Sequence, residues 1–168
     1  LAAVTARQEI RRLNKREWKL IGGAAVFLAL HFATWIASLD FTSIANSVVL
    51  VTLTPVWLAL WAVVALRQPP GLRTWLAVGL ALAGSVVMGW GSARVGMESL
   101  LGDGLALVGG ILFVGFLLLA EAARRTIGIV AFVTLVYTGA AILLWAVVFA
   151  LGLPLVGLSL ETYLAFIG

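Results

Sequence analysis

Residues 20–39 read LIGGAAVFLALHFATWIASL, a run with no Asp, Glu, Lys or Arg. At 1.5 Å rise per residue, about 20 helical residues cross the roughly 30 Å hydrocarbon layer of a bilayer, so this run is long enough to span one. Four more uncharged runs follow, at 41–66, 74–93, 104–120 and 126–160, and every charged residue falls in the short segments between them. The chain is 63% hydrophobic and 11% charged. Soluble domains carry roughly 45–50% and about 25%, and no water-soluble fold could hide this much apolar surface. The sequence therefore predicts an all-α protein, a polytopic membrane helix bundle.

Five complete spans are expected. The last run is too long for one helix, but Gly152-Leu153-Pro154 should end it, because a proline cannot continue a helical ladder. That leaves a helix over about 128–151 and the start of another near Glu161. The chain has no initiator Met, and Leu1–Val4 resemble the tail of an earlier helix, so the native protein is expected to be longer.

Threading the spans in order places successive loops on alternate sides, and the basic residues test that threading. Arg7, Arg11, Arg12, Lys15, Arg16 and Lys19 precede the first span, Arg67 and Arg73 fall in the second loop on that side, and Arg124 and Arg125 in the third. Arg94 alone lies opposite. By the positive-inside rule, segment 1–19 and the loops at 67–73 and 122–127 are cytoplasmic, in a cell membrane of the plasma or inner type. A basic cluster beside a span follows from topology, so it speaks for attraction to the anionic lipid of the bilayer and not for nucleic acid. Trp18, Trp75, Trp90 and Trp145 lie near span ends, where an indole can keep its N–H among the headgroups.

Turning each residue by about 100° sorts the faces. In the first span Ala25, Ala29, Ala33 and Ala37 form a smooth stripe suited to close helix packing, while Phe27, His31, Thr34 and Ser38 share nearly the opposite side with Trp35 beside them. A polar face cannot look into lipid, so it should face the bundle interior or a water-filled cavity. His31 lies about 18 Å from Lys19, near the midplane, and no Asp, Glu, Lys, Arg or second His falls inside any of these spans. In the second span Asn46, Ser47, Thr54, Trp57 and Trp61 cluster, and Pro55 should free the Val51 carbonyl and bend the helix. In the fifth, Thr134, Tyr137, Thr138, Ala141 and Trp145 share a face. In the fourth helix Ala77, Ala81, Gly84 and Met88 read as scaffold. The residues taken to bind a solute are His31, Thr34, Trp35, Ser38, Asn46, Thr54, Trp57 and Tyr137, with Pro55 as the helix break. Against that stands the plainer reading that membrane Ser and Thr bond their own helix carbonyls and that interior aromatics fill space.

No Cys, one His and no carboxylate within a span leave no metal site, no catalytic group and no cofactor to assign, although Ser38 near His31 keeps an intramembrane hydrolase in view. No Walker sequence is present. A channel or a non-transporting scaffold is the main rival to a carrier. Protonation of His31 would couple transport to pH, a role the sequence leaves open.

The order His31-Phe32-Ala33-Thr34-Trp35-Ile36-Ala37-Ser38-Leu39, Phe41-Thr42-Ser43-Ile44-Ala45-Asn46, Leu53-Thr54-Pro55 and Trp57 resembles the third and fourth helices of an EamA-type transporter of the drug/metabolite transporter superfamily. Thr74-Trp75-Leu76 with 79–84 is similar to its fifth helix, and 101–107 to the start of its sixth. The family's link between helices four and five usually carries Gly-Glu-Arg, where this chain has Arg67-Gln68-Pro69-Pro70. The resemblance implies a ten-helix transporter of two inverted repeats, working by alternating access on small organic metabolites or amino acids, as an exporter or permease. It also implies a division of this chain. Residues 1–93 would end the first repeat, with basic segment 1–19 and helices at about 20–39, 44–66 and 72–91. Residues 94–103 would form an extracytoplasmic linker, and 104–168 would open the second repeat, with helices at about 104–121 and 128–151. The remaining helices of the full-length protein would complete the carrier.

Overall fold

The computed structural model describes residues 2–90 and 96–153, and all of its regular structure is helical. The elements are α1 (Ala2–Ile10), α2 (Lys15–Ser38), α3 (Ile44–Val51), α4 (Thr54–Val64), α5 (Leu72–Trp90), α6 (Met97–Arg124) and α7 (Ile129–Leu151). Four units are long and apolar enough to cross a membrane: α2, α3 with α4, α6 and α7. The remaining expected span, α5, is apolar over the shorter stretch Leu72–Val87. This is a polytopic helical membrane bundle.

α2 begins at Lys15, earlier than the uncharged run alone indicates. A capping box sets that start: Asn14 Oδ1 accepts the N–H groups of Arg16 and Glu17 at 2.9 and 3.0 Å, and Glu17 Oε2 accepts the Asn14 N–H at 2.8 Å. α6 departs further from expectation. It runs from Met97 to Arg124, so 97–103, expected in a linker, form its first turns. Its 28 residues extend about 42 Å, beyond the roughly 30 Å layer, so Glu98 and Arg124 sit on turns that reach past the lipid tails. The basic N-terminal segment is likewise folded, as α1 and the corner leading into α2.

Pro55 acts as a break where a bend was expected. α3 ends at Val51, Thr52 and Leu53 make the junction, and Pro55 sits in the first turn of α4, where its missing N–H costs nothing. At the far end of α7 Gly152 adopts a left-handed conformation, φ 62°, and its N–H bonds the carbonyls of Phe149 and Val148. Pro154 and the helix expected near Glu161 lie outside the described residues, as do Arg94 and the side chain of Trp90.

α2 is the centre of the bundle, flanked by α6 on one side and by α7 on the other; α3 and α4 lie against α6, and α1 lies against α7. The core gathers Ile21, Ala24, Ala25, Leu28 and Ala29 of α2 with Phe116 and Ala123 of α6 and Ala131, Phe132, Val136 and Ala140 of α7. α5 packs against α3 and α4, and its buried residue is Val78 with Ala81 and Ser85 partly covered, whereas Ala77 and Gly84 are exposed. Of the expected small-residue face Ala81 is partly covered, and the side chain of Met88 lies outside the described residues. Leu76, Leu80 and Val87 are 64%, 76% and 76% exposed, a surface that only lipid or further helices can cover. Trp18, Trp75 and Trp145 stand well exposed near helix ends, as anchoring rings should.

Candidate solute-binding site

The polar face of α2 does point into the bundle, and α6 is what covers it. His31 is 7% exposed, and its Nδ1 lies 2.9 Å from the carbonyl oxygen of Gly109. A carbonyl can only accept, so Nδ1 is the donor of this contact, and in the neutral form of the ring Nε2 is then the acceptor. The ring is wedged among aromatics: Phe113 of α6 at 4.7 Å between centroids, Phe32 at 5.1 Å, and Trp35 stacked at 5.9 Å.

Close approach makes this contact. Gly109 has no side chain where a Cβ would come 3.2 Å from Thr34 Oγ1 and 3.5 Å from Trp35 Cβ. One residue on, a Cβ at Gly110 would come 3.0 Å from the Val51 carbonyl oxygen and 3.4 Å from Trp57 Nε1. The carbonyl released by Pro55 thus faces the bare backbone of α6, where a Cα–H can approach it. Gly109 and Gly110 together let α2 and the α3/α4 break meet the same turn of α6.

Of the eight residues singled out in the sequence, His31, Thr34, Trp35 and Trp57 gather around this turn. Thr34 turns its hydroxyl back onto its own helix, donating to Leu30 O at 2.9 Å, with His31 O at 3.2 Å. The plainer reading therefore holds for that hydroxyl. Trp35 and Trp57 each bury an indole N–H with no acceptor among the described residues. An unpaired buried donor costs about 1–3 kcal/mol, so each indole is an available hydrogen-bond donor inside the bundle.

Ser38 lies two turns further along α2 and is fully buried. Its hydroxyl gives its proton to Trp35 O at 2.5 Å, so the 2.6 Å contact with Ser47 is one in which Ser47 donates. This ties the end of α2 to α3. It also commits the Ser38 hydroxyl to contacts within the bundle. Asn46 is half-buried in the first turn of α3, where its backbone N–H is capped by Ser43 Oγ at 3.1 Å. Thr54 is half-buried at the start of α4. Tyr137 is not brought to this cluster: it is 51% exposed on α7, because its neighbour Val136 takes the position against α2.

The α6 partners were not legible from α2 alone. Besides Gly109, Gly110 and Phe113, the structure adds Thr42, 2% exposed, donating to Asp103 Oδ1 at 2.7 Å beyond the Ser38–Ser47 pair. A Cβ at Gly102 would meet Thr42 N at 2.7 Å. Gly102, Gly109 and Phe116 recur every seventh residue on α6, a spacing that could have exposed this seam. No group of three or more potential metal ligands gathers among the described residues.

A family model described as the EamA-like transporter family matches residues 1–90, just over half of the 168. No curated protein and no solved structure matches the chain.

Proposed function

The chain belongs to the EamA-like transporter family, and from that premise we propose a secondary carrier that exports or exchanges small organic solutes, metabolites or amino acids, by alternating access. It is a multi-pass membrane protein, and on this reading it sits in a plasma or inner membrane with the basic loops cytoplasmic. Further helices of the full-length protein complete the carrier and enclose the site.

The supporting observation is the group His31, Trp35 and Trp57 at one turn of α6, beside a broken helix. Two buried indole donors and an imidazole acceptor suit a solute that offers an acceptor oxygen and a donor, with aromatic faces for its apolar part. Thr34, Ser38, Asn46, Thr54 and Tyr137 complete the proposed set. Thr34 and Ser38 would act through the backbone positions they hold, and Tyr137 by facing the remaining helices. Proton coupling through Nε2 of His31 extends the same reading.

The test uses the full-length protein in proteoliposomes, with counterflow of a set of radiolabelled amino acids. Saturable counterflow is expected, reduced at least tenfold by His31→Ala and little changed by Ala29→Ser. Normal flux in the His31 variant would remove the site, and flux that never saturates would replace the carrier with a channel. Labels at Arg12 and Arg125 should react from the cytoplasm.

A further inference from the structure

Trp61 lies one turn from Trp57 on α4, outside the group gathered at Gly109 and Gly110. It is 46% exposed, although it shares a helix face with Trp57, whose indole N–H is buried. The space beside it is a groove of about 430 Å³ between α2, α4 and α6, walled by Phe27, Trp61, Ile111, Val114, Leu118 and Leu119. That volume falls within the roughly 300–1,000 Å³ of small-molecule sites. The groove prolongs the polar turn on all three helices. Phe27 is four residues from His31 on α2, Trp61 four from Trp57 on α4, and Val114 four from Gly110 on α6. Residues four apart share a helix face and lie about 6 Å apart along the axis. α2 leaves the basic end of the bundle at Lys15, while α4 and α6 run toward it at Arg67 and Arg124, so all three steps lead the same way. The Phe27 ring takes the space that a Cβ at Gly115 would fill, so the bare glycine lets the ring lie back against α6. No charged side chain and no hydroxyl lines the groove.

We propose that this groove is the carrier's subsite for the apolar group of its solute. His31, Trp35 and Trp57 hold the polar end, and an uncharged branched-aliphatic or aromatic group fills the groove against Phe27 and Trp61. The inference rests on the carrier reading above. The two rings offer faces on which an aromatic group can stack. A charged group in the same place would lose its water and meet no partner. A group of alanine's size would leave the groove unfilled, and each missing methylene in an apolar pocket weakens selection by about tenfold or more. The occupant follows from continuity: one turn away on every wall stand the groups that bind the polar end.

The test uses the full-length protein in proteoliposomes, with counterflow of radiolabelled phenylalanine, leucine, alanine and aspartate. Phenylalanine and leucine should half-saturate at concentrations about tenfold or more below alanine, with aspartate weakest. Trp61→Ala and Gly115→Ala should each weaken phenylalanine by about fivefold or more and leave alanine unchanged. Trp61→Phe should keep most of the preference, and Ala146→Leu, in the separate groove between α2 and α7, should alter neither solute. The chain has no cysteine, so Leu118→Cys supplies a single reporter. It should react with a maleimide, which needs a hydrated thiolate, and phenylalanine but not alanine should protect it. Equal losses for both solutes would make Trp61 and Gly115 packing residues and overturn the subsite. A reporter that never reacts would show lipid or a further helix filling the groove, with the same result. Saturable, His31-dependent counterflow without preference among the four solutes would overturn the subsite and leave the carrier standing. Flux that never saturates would remove the carrier reading and the subsite with it.

Discussion

On the flank of α2 that meets α7, Ala25 and Ala29 lie against Gly139 and Leu144, and among the described residues no hydrogen bond passes between the two helices. On the flank that meets α6, His31 bonds Gly109, and Trp35 and Thr34 crowd the same glycine. Both flanks rely on small residues for close approach, yet they use the proximity differently. Against α7 it yields dispersion alone, since lipid tails are as apolar as the helix and supply no hydrophobic drive. Against α6 it exposes backbone carbonyls to side chains that need partners. The first flank can be replaced by any apolar surface of similar shape. The second depends on particular atoms.

Substitutions can sharpen that contrast. The largest effect is expected at the α6 seam from Gly102→Ala, whose Cβ would meet backbone at 2.7 Å. Overpacking costs about 1–3 kcal/mol and a helical Ala regains up to about 1, so thermal unfolding in detergent should show a loss of about 2 kcal/mol. Next, His31→Ala should cost only about 1 kcal/mol, the net worth of one hydrogen bond and ring contacts, while removing transport. A variant that unfolds outright would show that His31 is a structural rivet. Third, Ser38→Ala and Ser47→Ala should couple by about 0.6 kcal/mol in a double-mutant cycle, the usual size for a polar pair between membrane helices. Additive losses would mean that Ser38 is satisfied by Trp35 O alone. The smallest effect belongs to the α7 flank. Gly139→Ala brings a Cβ to 3.0 Å from Ala25, and the mild squeeze is offset by about 1 kcal/mol of helix propensity, leaving stability near its starting value. A loss there as large as that at Gly102 would erase the distinction between the flanks.

The helix faces of α2 could be read from spacing, because a helix repeats its directions whatever surrounds it. His31, Trp35 and Ser38 indeed point together into the bundle, and the Ala25 and Ala29 stripe packs as its smoothness suggested. Pro55 marked the break correctly in place, though as two helices and not one bent helix. Spacing did not single out Val78, the buried residue of α5, since a wholly apolar helix offers no polar side to orient it. It also gave no sign of the role of Asp103, which reads as a loop acid until Thr42 is found beside it.

What the sequence determined by itself was membrane residence, the approximate spans and the direction each polar side chain takes about its own helix axis. All of these follow from local composition and a fixed period. Only the tertiary structure decided which neighbour covers each face: that α6 carries a carbonyl to His31, that Tyr137 stays outside, and that Glu9 reaches Gly128 across 119 residues. Pairings between helices depend on how closely two backbones approach. That distance is set by glycines and side chains from distant parts of the chain acting together, and no single helix contains it.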